Sequence, residues 1–373
     1  MKESDNRIER FDQKNDMFRR CTLEPEWQEQ DRIFRDSESI VGKPGYSHEG
    51  FALTDAAWYV EDYFGKGSSV GVKGTLYSPV ASDEVNGPLA TREKIKATPK
   101  ELTKKIKRVA KIYGASLVGV AEIREQWLYS KTYSRSRKEH LPVDLPEDMG
   151  HVIAIAIEMD YDLIQTAPSN GSAAAAGLGY SKMAFISGMV SKFIREIGYD
   201  AYPCGNGTAL SIPIAIDAGL GELGRNGLLI TEKYGPRVRI CKIFTNMPLV
   251  PDKPVSFGVK RFCDLCKKCA RYCPSKSISF DEMTNEGPTI SNNNGPMKWY
   301  VNPESCFRFW CKSKTDCGVC IRVCPFNQKS GFLHNFVRFF IKHLPFMNRL
   351  FLSGSYVFGF GKRKDPSSIW DNR

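Results

Sequence analysis

Two stretches of the chain carry apolar residues at helical spacing, and two others are short continuous apolar runs. From Thr98, the positions Leu102, Ile106, Val109 and Ala110 mark one apolar helix face. Thr98-Pro99-Lys100-Glu101 supplies a capping box with proline in the first turn, and Gly114 supplies the stop. A longer periodic stretch runs from Ser172 to Gly198, with Met183, Ile186, Val190, Phe193, Ile194 and Ile197 as its core stripe. Ser116–Ile123 and His151–Ile157 have the length and content of buried strands. Thr54–Phe64 predicts one further helix in an otherwise irregular region, rich in glycine, proline and aromatics, that reaches residue 97. Helices alternating with short apolar strands predict an α+β, α/β-like fold. Four segments are expected: 1–97, irregular and helical; 98–254, the main α+β domain; 255–330, a cysteine module; and 331–373, an aromatic and basic extension.

The 373 residues suffice for two domains or one domain with an inserted module, and no run of eighteen apolar residues predicts a transmembrane helix. The net charge of +11 is spread along the chain. It predicts a basic solvated surface, and would also suit an acidic electron donor, an anionic membrane or RNA. The densest run, Lys131–Lys138, is expected to be an exposed loop. The N-terminus is charged and lacks an apolar core segment. Arg19-Arg20 is a twin-arginine pair in name only, because polar residues come after it, so the chain as given shows no export signal.

Nine of the twelve cysteines fall between Cys263 and Cys324, and such clustering points to metal rather than disulfides. Cys263-x-x-Cys266-x-x-Cys269-x-x-x-Cys273-Pro274 matches the bacterial ferredoxin run, in which the fourth cysteine serves a second cluster. The partner half is Cys317-x-x-Cys320-x-x-x-Cys324-Pro325. One [4Fe–4S] cluster is therefore expected on Cys263, Cys266, Cys269 and Cys324. The second falls to Cys273, Cys317, Cys320 and Cys306, with Cys311 as the competing eighth ligand. Structural zinc does not use this crossed, proline-terminated pattern. Cys21, Cys204 and Cys241 lack ligand spacing and are expected as buried free thiols. Some 250 residues precede the module, far more than an electron carrier requires, so the clusters are expected to feed a site in the larger domain.

Tyr202–Pro248 is dense in glycine, which lets main chain approach a ligand closely. Gly205, Gly207, Thr208, Gly219 and Gly221 are the expected cofactor contacts. Gly219-x-Gly221-x-x-Gly224 is formally a dinucleotide fingerprint, but Asn226–Thr231 reads as a strand and no acidic residue occurs in Arg237–Met247, which argues against nicotinamide. Trp58, Tyr59, Tyr63, Phe64 and Trp127 are candidates to line an apolar pocket.

GLGELGRNGLLITEKYGPRVRICKIFTNMPLVPDKP, followed by FCDLCKKCARYCP and CGVCIRVCPFN, resembles the corrinoid-dependent reductive dehalogenases, from about Ile8 to Trp370. The resemblance implies a base-off cobamide in a nitroreductase-like domain beside a ferredoxin-like module with two [4Fe–4S] clusters. It favours Cys306 as the eighth ligand. It also implies Tyr180 (GLGYSKM), Asn206 (PCGNG) and Arg239 (GPRVR) as catalytic residues: a proton donor, a residue that orients substrate or receives halide, and a cation that stabilises the phenolate. Ala173, Ala174, Ala175, Ala176, Gly177 and Gly179 would leave room for a flat macrocycle. Asp-x-His-x-x-Gly, the usual lower-ligand motif for cobalamin, is absent around all five histidines, which agrees with a base-off cofactor. Expected partners are a small organohalide, a low-potential electron donor, a membrane anchor subunit and a second copy of the chain, with no nucleic acid. The expected location is the outer face of the cytoplasmic membrane if a leader has been removed, and the cytoplasm if the chain is complete. The tail Phe332–Phe360 would rest on a membrane or anchor, or pack as a core helix. Rival readings are an epoxyqueuosine reductase-like enzyme acting on tRNA and a non-catalytic electron-transfer subunit.

Overall fold

The computed structural model of the protein describes residues 8–36, 38–65, 76–77, 93–134, 139–143, 145–329 and 331–371. Helices α1 (Met17–Leu23), α2 (Pro25–Arg35) and α3 (His48–Val60) come first. Asp16 caps α1, Pro25 opens α2, and Ser47 caps α3 by accepting from the Gly50 N–H. That cap starts α3 six residues ahead of the expected Thr54, and a π-turn over Glu61–Gly65 ends it. Helix α4 (Pro99–Ile112) carries the expected capping box, Thr98 with Glu101.

Strand β1 (Leu117–Glu122) is next, then β2 (Lys131–Ser134) paired antiparallel with β3 (Glu139–Pro142). The basic run expected as a loop thus forms a strand over its first half. Tyr133 is buried, and its N–H donates to Gln13 Oε1 at 3.1 Å. Residues 135–138 of the run lie outside the described residues. The chain continues through β4 (His151–Glu158), α5 (Tyr161–Gln165), α6 (Asn170–Glu196), β5 (Ala201–Cys204), α7 (Ser211–Asp217), β6 (Glu222–Leu223), β7 (Leu229–Ile230) and β8 (Val238–Thr245). The formal dinucleotide fingerprint leads into the β6–β7 hairpin and not into a helix. Asn226–Thr231 is strand only over Leu229–Ile230.

The main sheet has the order β1-β4-β8-β5 and is antiparallel throughout. Its second strand, β4, is apolar at nearly every position because both of its faces are covered. Ile153, Ile155 and Ile157 point toward α6 and α4, where Met183, Ile186, Val190, Ile194, Leu102 and Ile106 complete one core. Val152, Ala154 and Ala156 point the other way, toward Ala209, Ile214, Ala215 and Leu220. Each fully buried Ile or Val stabilises the fold by roughly 1.5–3 kcal/mol through transfer from water. Helix α6 begins two residues before the expected Ser172, because Ser169 and Ser172 cap each other's backbone N–H groups.

The cysteine module contains α8 (Val259–Cys266), α9 (Lys268–Arg271), α10 (Pro303–Ser313) and α11 (Val319–Arg322). Helices α12 (Phe332–His343) and α13 (Asn348–Val357) pack on it through Ile341, Phe351 and Leu352 against Phe257, Val259 and Phe262. Two residues of the GPRVR stretch lock the module to the sheet. Gly235 has φ +56°, and a Cβ there would lie 2.3 Å from the Phe326 carbonyl oxygen. Arg237, fully buried, donates to Asn327 Oδ1 at 2.9 Å and to the Met159 carbonyl at 2.8 Å. No helix among the described residues is long and apolar enough to cross a membrane.

Candidate active site

Tyr180 sits one turn before Met183 on the core stripe of α6, half-buried against the main core. On β8, alternation turns Arg239, Cys241 and Ile243 toward α6. The Arg239 guanidinium carbon lies 4.9 Å from the centre of the Tyr180 ring. Asn206, in the loop after β5, donates from Nδ2 to the Tyr180 hydroxyl oxygen at 3.0 Å. The three residues expected from the sequence therefore meet. Trp58 of α3 joins them, stacking on Tyr180 with ring centres 4.7 Å apart and planes 22° apart.

Two glycines of GLGY make this crossing possible. A Cβ on Gly179 would lie 2.7 Å from Arg239 Cγ, and one on Gly177 would lie 2.4 Å from Trp58 Cδ1. Of the other candidate pocket aromatics, Tyr59, Tyr63 and Phe64 are exposed and pack on one another. Trp127 donates to Asp217 Oδ2 at 2.9 Å on the opposite side of the sheet.

The Asn206 loop is clamped from beneath by Lys242, a fully buried residue absent from the expected site. Its ammonium donates to the Gly205 carbonyl and to Ser211 Oγ, both at 2.7 Å. Burial brings this ammonium down to about 8, a shift that the neighbouring Cys204 and Cys241 partly oppose. The only sequence signal is a lysine in an otherwise apolar stretch, Ile240–Phe244. Tyr129 adds two further restraints: its N–H donates to the Thr208 carbonyl at 2.9 Å and its hydroxyl to the Asn206 carbonyl at 3.3 Å. Gly205, Gly207 and Thr208 thus flank Asn206, and Gly207 faces open space. Gly219 and Gly221 serve close main-chain approaches instead, to the carbonyl oxygens of Lys253 and Ile230.

The cysteines gather in two quartets. Cys324, whose thiol burial pushes well up, feels the charges of Cys263, Cys269 and Cys266. Cys306, pushed up to about 12 by burial, feels Cys317 and Cys273. Cys320, also raised by burial, feels Cys317, Cys306, Cys269 and Cys273, so the quartets adjoin at Cys269. Cys311 joins neither. It packs among Met17, Cys21, Trp27 and Phe307, with Asp31, Lys314 and Arg308 as its charged neighbours. Of the unassigned thiols, Cys21 and Cys241 are buried and Cys204 is half-buried; all three are free of disulfides.

A small cavity, about 20 Å³, is lined by Cys263, Cys266, Cys269 and Cys324 together with Arg225 and Phe262. Four converging thiols round a void fit an all-thiolate iron–sulfur cluster. Arg225 went unnoticed in the sequence. It lies fully buried over Trp299 at 4.4 Å and donates to the carbonyls of Cys263, Ser279 and Asp281, placing a fixed cation beside these thiols. The second quartet abuts the main domain: Cys320 packs with Met159, Ile164, Ala175 and Leu228. Asp316, next to Cys317, is held above the usual carboxylate range by burial, and the Arg239 charge offsets part of that rise.

A larger cavity, about 530 Å³, runs along Ala175, Leu178 and Gly179 of α6 and is bounded by Met159, Tyr161 and Tyr234. This lies within the usual range of ligand-site sizes. It reaches Gly179, where Arg239 crosses, and the buried Nε of Arg239 has no hydrogen-bond partner among the described residues.

Comparison with known proteins agrees with this picture. Residues 262–328 match the family model of the 4Fe-4S dicluster domain, which makes the chain an iron–sulfur protein of the two-cluster class. A tetrachloroethene reductive dehalogenase of Sulfurospirillum multivorans is 35 % identical over 88 % of this chain and 71 % of its own length. One from Desulfitobacterium hafniense is 37 % identical over 77 % of this chain and 63 % of its own. The chain belongs to the reductive dehalogenase family. The solved catabolic reductive dehalogenase NpRdhA shares the fold, with a TM-score of 0.72 at 21 % identity, over 96 % of this chain and 48 % of that one. The chain thus spans 71 %, 63 % and 48 % of the lengths of these three proteins.

The buried Lys242 makes stability depend on pH. Its ammonium binds a proton less readily folded, at about 8, than unfolded, at its ordinary 10.5. Between those values the unfolded state holds more protons, so this residue's contribution becomes more favourable as pH rises. In urea unfolding, wild type should gain on Lys242→Met from pH 8 to 10, by up to about 3 kcal/mol. A constant difference would show that the ammonium is not desolvated.

Proposed function

We propose that the protein is a reductive dehalogenase whose proton donor is Tyr180, working in a nitroreductase-like α+β domain. The observation that carries this reading is the convergence of Asn206, Arg239 and Trp58 on one tyrosine. Replacing carbon–halogen by carbon–hydrogen takes two electrons and one proton and releases halide. When bound, a corrinoid supplies low-valent cobalt to break the carbon–halogen bond, and two [4Fe–4S] clusters supply its electrons singly.

The chain's own residues account for the proton. Asn206 donates to the Tyr180 oxygen, which directs the hydroxyl proton away from Asn206. The Arg239 cation beside the ring stabilises the phenolate left after transfer. Trp58, stacked on that ring, covers it from water. The small residues Ala175 and Gly179 beside the larger cavity, with Gly205, Gly207 and Thr208 near Asn206, are the positions proposed to hold the corrinoid. One cluster is assigned to Cys263, Cys266, Cys269 and Cys324, the other to Cys273, Cys306, Cys317 and Cys320. The second quartet abuts α6 and Asp316, which makes its cluster the one adjacent to the active site. A small organohalide is the proposed substrate, and a low-potential donor the proposed electron source.

Cys306→Ala should remove one cluster's EPR signal, whereas Cys311→Ala should leave both intact because its thiol lies among the apolar residues of α1, α2 and α10. The reverse pattern would move the eighth ligand to Cys311.

Tyr180→Phe should lower dehalogenation by about 10²–10⁴-fold, the usual contribution of a positioned general acid. Corrinoid and iron content should stay near wild type. If the variant keeps most of its turnover with several halogenated alkenes and phenols, the proton comes from elsewhere.

A further inference from the structure

Cys320 of the second quartet packs against the main domain, whereas the first quartet packs under the α12–α13 side of the module, so the first is the quartet farther from Tyr180 and the natural point of entry for an external electron. The surface around that first quartet has an unusual composition. Between residues 260 and 276 it carries Lys260, Arg261, Lys267, Arg271 and Lys276, against one carboxylate, Asp264, while Lys268 is buried. That carboxylate is already matched by the buried Arg225, at 3.5 Å. Arg271 donates to the Tyr356 hydroxyl at 3.0 Å, and Lys268 lies 4.6 Å over the same ring. These contacts bring the end of α13 alongside the cysteines. Next to Tyr356, Val357 is 82 % and Phe358 75 % exposed, and Tyr272 beside Cys273 is 47 % exposed. An apolar and aromatic centre within a ring of cations is the anatomy of a protein-docking surface, with charge to steer the encounter and apolar groups to hold it.

We propose that this face, centred on Arg271, Tyr356 and Phe358, docks an acidic one-electron carrier protein that reduces the cluster of Cys263, Cys266, Cys269 and Cys324. The proposal rests on the cluster assignment under Proposed function and names the partner of that site. In each encounter the carrier loses one electron and the cluster gains one. Two encounters supply the electron pair that, with the Tyr180 proton, converts the organohalide to its hydrogenated product and halide. The positive charge of the ring selects a carrier of opposite sign, and the apolar centre gives the complex its short-range hold.

The test tracks cluster bleaching by stopped flow in the reconstituted full chain, with reduced flavodoxin as the acidic carrier and dithionite as a small reductant needing no docking. Wild-type reduction by flavodoxin should be saturable and should slow about tenfold or more as ionic strength rises. Arg271→Glu should slow it about tenfold at low salt, with the dithionite rate and iron content unchanged. Phe358→Asp, remote from the cysteine ligands in sequence, should do the same, so that a loss of iron in Arg271→Glu still leaves a decisive variant. Wild-type rates with flavodoxin in both variants would overturn the proposal. So would unchanged flavodoxin rates accompanied by lost co-sedimentation with phosphatidylserine vesicles, which would make the face a membrane surface. Absence of bleaching by dithionite would overturn the cluster assignment and this proposal with it.

Discussion

The close crossing of α6 over β8 is the constraint on which the rest of the site depends. Where Arg239 leaves the sheet, α6 presents Gly179, and any side chain there would collide with the arginine stem. The approach puts Tyr180 beside the guanidinium, and Gly177 two residues earlier admits Trp58 from α3. The same helix then offers Ala175 to Ile321 and Cys320 of the cysteine module. One helix thus forms a wall of the Tyr180 environment, of the larger cavity and of the second cysteine quartet. The sheet answers with one strand. On β8, Arg239 serves the face toward α6 and Lys242 the opposite face, where it fixes the loop that presents Asn206.

The features legible in the sequence were those carried by local chemistry. The capping box at Thr98, the two-sided apolar run of β4 and the ferredoxin spacing each show in the pattern of residues close in the chain. The dinucleotide-like glycines open a hairpin rather than a helix. Features set by distant partners were not legible. Tyr133 is a buried strand residue because Gln13 waits for its N–H, and nothing within the run of charges says so. Trp58 was one of five candidate aromatics, and only the α3–α6 crossing singles it out. Arg225 is one more charge in a glycine-rich stretch of the sequence, yet it is the buried cation that ties α8 to the Ser279–Asp281 segment.

The basic composition acquires a location in the same way. A net charge of +11 admitted a solvated surface, RNA, a membrane or an acidic donor. Part of it is internal: Arg225, Arg237 and Lys242 are fully buried structural cations. Another part lies beside the first cysteine quartet, the proposed point of electron entry. Buried cations hold the module to the sheet and the Asn206 loop to its strand, while surface cations flank the proposed entry face, so one sign of charge does two different kinds of work.

Metal content after anaerobic reconstitution of the full chain with iron, sulfide and a cobamide tests the central claim most directly. Two cysteine quartets beside a corrinoid site predict about eight iron and eight acid-labile sulfide per chain, with about one cobalt retained through gel filtration. A stable, folded preparation holding half that iron, or releasing all its cobalt, would contradict the account.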